Sequence, residues 1–125
     1  MKRIIRTPNA PAAQGPYSQA VEINGTLYVS GQIAIDPATG KMADGDITAQ
    51  TRQVLRNIEA ILKAAGYSFV EVVKSTCYLK DIADFKAMNE AYSQYYFENH
   101  PARAAFAVKE LPLGALIEIE TVAVK

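Results

Sequence analysis

Apolar residues change their spacing several times along this chain, and each change marks an element. Gln19-Ala20-Val21-Glu22-Ile23 and Thr26-Leu27-Tyr28-Val29-Ser30-Gly31-Gln32 are two short runs rich in β-branched and aromatic residues, separated by Asn24-Gly25. Asn-Gly supplies the two positive φ angles of a type I′ turn, so the runs predict a β-hairpin. Asp36-Pro37-Ala38-Thr39-Gly40 and Asp44-Gly45 are turn signals that close the following loop. Behind Asp46 the period lengthens. Ile47, Thr51, Val54, Leu55, Ile58, Ile61, Leu62 and Ala65 recur at helical spacing, with Asp46 as N-cap and Gly66 as terminator. The spacing predicts an amphipathic helix of about five turns, with Arg52, Arg56, Glu59 and Lys63 turned away from the apolar stripe. Val70 to Leu79 returns to period two and reads as a strand. Asp81 or Asp84 then opens a second helix through Phe85, Met88, Tyr92, Tyr95 and Tyr96, which Pro101 stops. Two closing strands follow, Ala104 to Leu111 and Ala115 to Val124, joined by Pro112-Leu113-Gly114.

These elements compose one α+β layer, a single domain over residues 1–125. Two helices cover only one face of a five- or six-stranded sheet. Yet Leu27-Tyr28-Val29 and Thr121-Val122-Ala123-Val124 carry apolar side chains at both parities. The second face therefore calls for cover, and a second copy of the chain is the expected source. Composition narrows the chemistry. The chain has thirteen basic and thirteen acidic residues, one His, one Cys and no Trp. One Cys excludes an internal disulfide, and one Cys with one His excludes a Cys/His zinc site within one chain. Zero net charge argues against nucleic-acid binding by bulk electrostatics. No apolar run approaches the ~18 residues of a membrane span. Met1 to Arg6 is basic but lacks the apolar stretch of a signal peptide, so the expectation is a cytoplasmic protein.

Few residues remain that could carry chemistry. Arg103 follows Pro101-Ala102 at a strand start, among Ala102, Ala104, Ala105 and Phe106. Its guanidinium offers a planar fork that matches a carboxylate through two parallel hydrogen bonds; an exposed strand-end cation is the plain alternative. Glu118 and Glu120, two apart in a period-two strand, share one side of the sheet with Leu116 and Val122. A carboxylate there must find a partner or water, and for either Glu alone a solvated stripe or a structural ion pair is the plainer reading. Gly15-Pro16-Tyr17-Ser18 and Ser30-Gly31-Gln32 set glycine beside hydroxyls at strand ends, where backbone groups approach a small ligand closely. Neither is a phosphate-binding loop. His100 reads as a residue at the foot of the second helix, where a cation suits the helix dipole, and no Gly-x-Ser-x-Gly elbow supplies it with a nucleophile. Cys77 reads as a small core or interface residue. Tyr95-Tyr96-Phe97 lies within residues 81–100, which hold four acidic and one basic side chain, net −3. That balance favours packing over base stacking.

Taken together, Asn9-Ala10-Pro11-Ala12-Ala13, Gly15-Pro16-Tyr17-Ser18-Gln19, Ser30-Gly31-Gln32-Ile33, Pro101-Ala102-Arg103 and Ile117-Glu118-Ile119-Glu120 resemble the RidA/YjgF family of reactive-intermediate deaminases, in order and across essentially the whole chain. The resemblance implies a chorismate-mutase-like α+β protomer with two helices on one face of a mixed sheet. It also implies a homotrimer with a central barrel and a site in each cleft between subunits. The implied activity is hydrolysis of 2-imino acids, such as 2-aminoacrylate from PLP-dependent dehydratases, to 2-oxo acids and ammonia, with no metal or organic cofactor. By similarity, Arg103 would clamp the substrate carboxylate and Glu118 would hold or activate water. Tyr17, Ser30 and Gly31 would line the cleft, with Asn89 as a polar contributor and the backbone of Ala105 in contact. One departure stands out: Ala105 occupies a position where many members carry Cys. Two other functions compete, a 2-oxo acid-binding regulatory trimer without turnover and an endoribonuclease or translation inhibitor. Neutral charge and a single His weigh against the latter.

Overall fold

Both residues of the Asn24-Gly25 turn adopt positive φ, 50° and 80°, in the computed structural model, which describes residues 1–125. They join β2 (Ala20–Ile23) to β3 (Thr26–Gln32) with Ile23 opposite Thr26, the hairpin that the pattern predicts. Helix α1 (Ile47–Ala65) begins where Asp46 Oδ1 accepts from the Ala49 N–H at 3.1 Å. It ends at Gly66, whose φ of 84° turns its N–H back toward Lys63 O. Arg52, Arg56, Glu59 and Lys63 are exposed, whereas Val54, Leu55, Ile58, Ile61 and Leu62 are fully buried. They pack in one cluster with Leu27, Val29, Ile117, Ile119 and Ala123 from the sheet. Burial of each large aliphatic side chain stabilises the fold by about 1.5–3 kcal/mol.

The main sheet has six strands in the order β1-β2-β3-β8-β6-β7, with β1 at Arg3–Ile5, β6 at Val72–Leu79, β7 at Ala102–Ala107 and β8 at Ile117–Val124. All neighbours run antiparallel except β6 and β7, which are parallel. A parallel pair needs a crossover, and α2 (Phe85–Tyr92) supplies it. A separate two-stranded ribbon, β4 (Ile35–Asp36) and β5 (Lys41–Met42), forms around the Pro37–Gly40 turn. Both helices contribute to the single core cluster on one sheet face. On the other face Tyr28 is 52 % and Phe106 46 % exposed, so the uncovered apolar surface expected from mixed parity is present.

Several boundaries differ from the sequence reading. Strand β1 has only three residues, too short to register as a period. The strand expected from Val70 starts at Val72, because Ser68 and Glu71 form a capping box around a 3-10 turn at Phe69–Glu71. Asp81 caps a separate 3-10 turn at Ile82–Asp84, and α2 stops at Tyr92 rather than near Pro101. There Ser93 Oγ donates to Glu90 O at 2.8 Å, a local bond that competes with helix continuation. His100 is therefore no helix-end residue. The two C-terminal strands are not partners, since β8 inserts between β3 and β6. β7 starts at Ala102 opposite Lys74 and ends at Ala107 opposite Leu79, where β6 itself ends.

Candidate active site

The ladder between β3 and β8 slips between Val29 and Gln32, and one group of the candidate residues gathers at that irregularity. The Ser30 N–H donates to Gln19 O at 2.9 Å, and Ser30 Oγ donates to Ser18 O at 2.6 Å. Next to it Gly31 lies against Glu118. A Cβ on Gly31 would overlap that carboxylate, and Gly31 is absent from the positive-φ residues. Glycine is required here for close approach rather than for backbone freedom. Buried Gln19 ties down the N-terminal segment. Its Oε1 accepts from the Thr7 N–H at 2.7 Å, and its Nε2 donates to the carbonyls of Thr7 (3.1 Å), Ala10 (3.3 Å) and Pro11 (2.8 Å). Tyr17 OH accepts from the Gln14 N–H at 3.2 Å. The resulting cavity, about 650 Å³, brings together Tyr17, Ser30, Gly31, Glu118 and Glu120.

The two carboxylates are held differently. Glu120 Oε1 accepts from Tyr78 OH at 2.6 Å, and that bond, ahead of burial, pushes the Tyr78 phenol up to about 12. Glu118 has no such partner. Burial, followed by the charge of Glu120, raises its pKa above the usual carboxylate range. A carboxylate with raised proton affinity and unoccupied oxygens is suited to take a proton from water and return it.

Arg103 lies on the other face. It pairs with Ser75, which is fully buried on the helix side, whereas Glu118 pairs with Tyr78 on the open side. The guanidinium carbon is 4.9 Å from the Tyr92 ring centre and 5.6 Å from that of Phe85. The one ion pair in the chain, Arg3 to Glu22, is elsewhere. A second cavity of about 320 Å³ gathers Asn89, Tyr92, Tyr96, His100 and Arg103, and Asn89 Oδ1 is buried without a partner. Ala105 stands two residues along β7, opposite Cys77, and lines neither cavity. Cys77 is a core residue; burial pushes its thiol up to about 11, with Arg103 offsetting part of that shift. No cluster of three metal-ligating side chains occurs.

The seven candidate residues thus separate. Tyr17, Ser30, Gly31 and Glu118 form one group, Asn89 and Arg103 another, and Ala105 stands apart. The sequence reading missed Gln19 as the anchor of the cavity wall and Phe85 and Tyr92 as neighbours of Arg103. Phe85 and Tyr92 are seven apart on a helix and share a face; that stripe reads as core.

The sequence model of the Endoribonuclease L-PSP family matches residues 7–125. A RutC family protein of Pyrococcus horikoshii is 56% identical over 125 residues, covering 100% of this chain and 99% of the relative. The Homo sapiens protein named 2-iminobutanoate/2-iminopropanoate deaminase is 50% identical, covering 100% of this chain and 91% of the relative. The crystal structure of E. coli TdcF with bound serine superposes with a TM-score of 0.94 at 39% identity, covering 98% of each chain. With a whole-length fold match and half of its residues shared with such relatives, this chain belongs to the Endoribonuclease L-PSP family, the RidA group.

Proposed function

We propose that this chain is a 2-iminobutanoate/2-iminopropanoate deaminase, hydrolysing 2-imino acids to 2-oxo acids and ammonia, and that it works as a homotrimer with each site between two subunits. The observation that carries the reading is the pair of half-sites. A carboxylate of raised proton affinity and a guanidinium without an ion-pair partner each border a cavity, on opposite faces of one sheet. A neighbouring copy whose β7 edge meets the Glu118 face would complete the site. Three sheets meeting through the face that carries Tyr28 and Phe106 would close a central barrel. Names borne by relatives at about half identity support the substrate class, and the serine held by TdcF supports a small ligand with an α-carboxylate.

In this reading the Arg103 fork takes the carboxylate through two hydrogen bonds and fixes the imine carbon in reach of the Glu118 cavity. Glu118 removes a proton from water as the oxygen adds to C2 of the iminium, giving a carbinolamine. It then returns that proton to the nitrogen. The C–N bond breaks with its electron pair leaving on ammonia, and the hydroxyl proton passes to solvent as the carbonyl forms. Tyr17, Ser30 and the Gly31 backbone line the cleft, with Asn89 on the Arg103 side and the Ala105 backbone in contact. Imines hydrolyse readily in water, so a sparse site suffices.

The assay adds pure protein to a dehydratase generating 2-aminoacrylate, with semicarbazide trapping the imine. Wild type should speed pyruvate formation, and Arg103→Ala, folded and assembled, should not. Mixing Arg103→Ala with Glu118→Ala protomers, then dissociating and reassembling them, should restore about one quarter of the sites by random assortment across subunit interfaces. A wild type that binds 2-oxobutanoate without turnover would replace the enzyme reading with a binding one. A mixture that stays inactive would refute the shared site.

A further inference from the structure

A guanidinium at a binding site must be held in place without spending the hydrogen bonds that bind the ligand. Protein carboxylates hold Arg along its in-plane N–H edge, the edge a substrate carboxylate also needs. Arg103 has no such partner; it has rings. Tyr92 lies 4.9 Å below the guanidinium carbon, and Phe85 is 5.6 Å away. Tyr92 stacks on Tyr96 at 4.5 Å and 28°, and Tyr96 meets Phe69 edge-on at 5.0 Å. Tyr92 and Tyr96 are buried members of the core cluster, so a relay of rings runs from the hydrophobic core to the guanidinium. No hydrogen bond links either tyrosine hydroxyl to Arg103. What Arg103 meets is the ring of Tyr92, with Tyr96 stacked behind it.

We infer that Phe85 and Tyr92 are positioning residues, which hold the Arg103 guanidinium over their ring faces and leave its N–H fork free for the ligand carboxylate. The inference rests on the reading of Arg103 as the carboxylate clamp. Cation–π attraction draws the guanidinium to the face of an aromatic ring and asks for no acceptor atom, whereas a carboxylate takes the N–H fork. The two do not compete. Arg103 is thus oriented before the ligand arrives, and the cost of ordering its long side chain falls on folding rather than on binding.

The test measures 2-oxobutanoate binding by calorimetry, and kcat and KM in the imine assay, for Phe85→Leu, Tyr92→Leu and Tyr92→Phe. Tyr92→Leu should weaken binding and raise KM about five- to tenfold, the scale of a partly desolvated cation–π contact, with kcat within about twofold. Phe85→Leu should weaken binding about threefold, as befits its longer, more exposed contact. Tyr92→Phe keeps the ring and should restore wild-type binding, whereas a role of the hydroxyl would leave it as weak as Tyr92→Leu. Tyr92 is buried and Phe85 is 37 % exposed, so if Tyr92→Leu fails to fold, Phe85→Leu decides. Wild-type affinity in folded Phe85→Leu, or Tyr92→Phe as weak as Tyr92→Leu, overturns the inference. A wild type that binds 2-oxobutanoate without turnover defeats the deaminase reading alone; one that does not bind it defeats both.

Discussion

Gly31→Ala separates the stability of this fold from its chemistry. The added Cβ would sit 2.9 Å from Glu118 Cδ and 3.2 Å from Cγ, and would overlap the carboxylate itself. The three nearest atoms all belong to the Glu118 side chain, so that side chain must yield. Replacing Gly by Ala at an ordinary φ stabilises by about 0.4–1 kcal/mol through the unfolded chain. Pushing Glu118 off its rotamer costs about 0.5–1.5 kcal/mol. The net change in stability is therefore within about 1 kcal/mol. Activity should respond far more: a displacement of about 1 Å in a catalytic group lowers the rate about 10²-fold, or about 2.7 kcal/mol on the barrier. Thermal unfolding and kcat/KM in the dehydratase-coupled assay read the two effects apart. In a Glu118→Ala background the same substitution should have no further effect on rate, because its target is gone. Wild-type kcat/KM in Gly31→Ala would show that the orientation of Glu118 is not used. A loss of stability above about 3 kcal/mol would show a clash deeper than one flexible side chain.

Two further substitutions test the half-site around Glu118. The raised pKa of Glu118 means that folding disfavours its charged form, so wild type loses stability as pH rises through the folded pKa and keeps it below the ordinary value of 4.5. Glu118→Gln removes the charge and should melt higher than wild type at neutral pH, with the difference shrinking below that value while activity is lost. A pH-independent difference in melting temperature would contradict the assigned cause. Gln19→Ala deletes four hydrogen bonds to Thr7, Ala10 and Pro11 and should cost about 2–4 kcal/mol. Hydrogen exchange at the Thr7 amide should quicken well beyond the global effect; an unchanged exchange rate there would show that other contacts hold the segment.

Local chemistry made much of the fold legible. Asn24-Gly25, Asp46 and Gly66 each have one dominant physical use, and each is found in it. The positions of β8 and β7 were not legible, because strand order depends on pairing between distant segments, which period and propensity do not encode. The apolar spacing predicts a longer second helix because Tyr95 and Tyr96 continue it. In the structure they pack on Phe69 from a turn beyond the helix. For the site, residue type singled out Arg103 and Glu118, but parity along separate strands could not relate one face to the other. Only the register of β6 with β7 and β8 shows that the two point apart.

The placement of β8 has a consequence for how the chain acquires its structure. This strand pairs with both β3 and β6, and it follows both of them in the chain. Until residues 117–124 are available, the hairpin side and the β6–β7 side have nothing to join them into one sheet, and α1 has no continuous floor. Contacts between such distant segments carry a high loop-closure cost and slow folding. A nascent chain would hold two partial sheets with exposed edges, and the strand that joins them also delivers Glu118. Continuity of the sheet and arrival of the carboxylate are then one event, so a chain stalled before β8 carries Arg103 without Glu118.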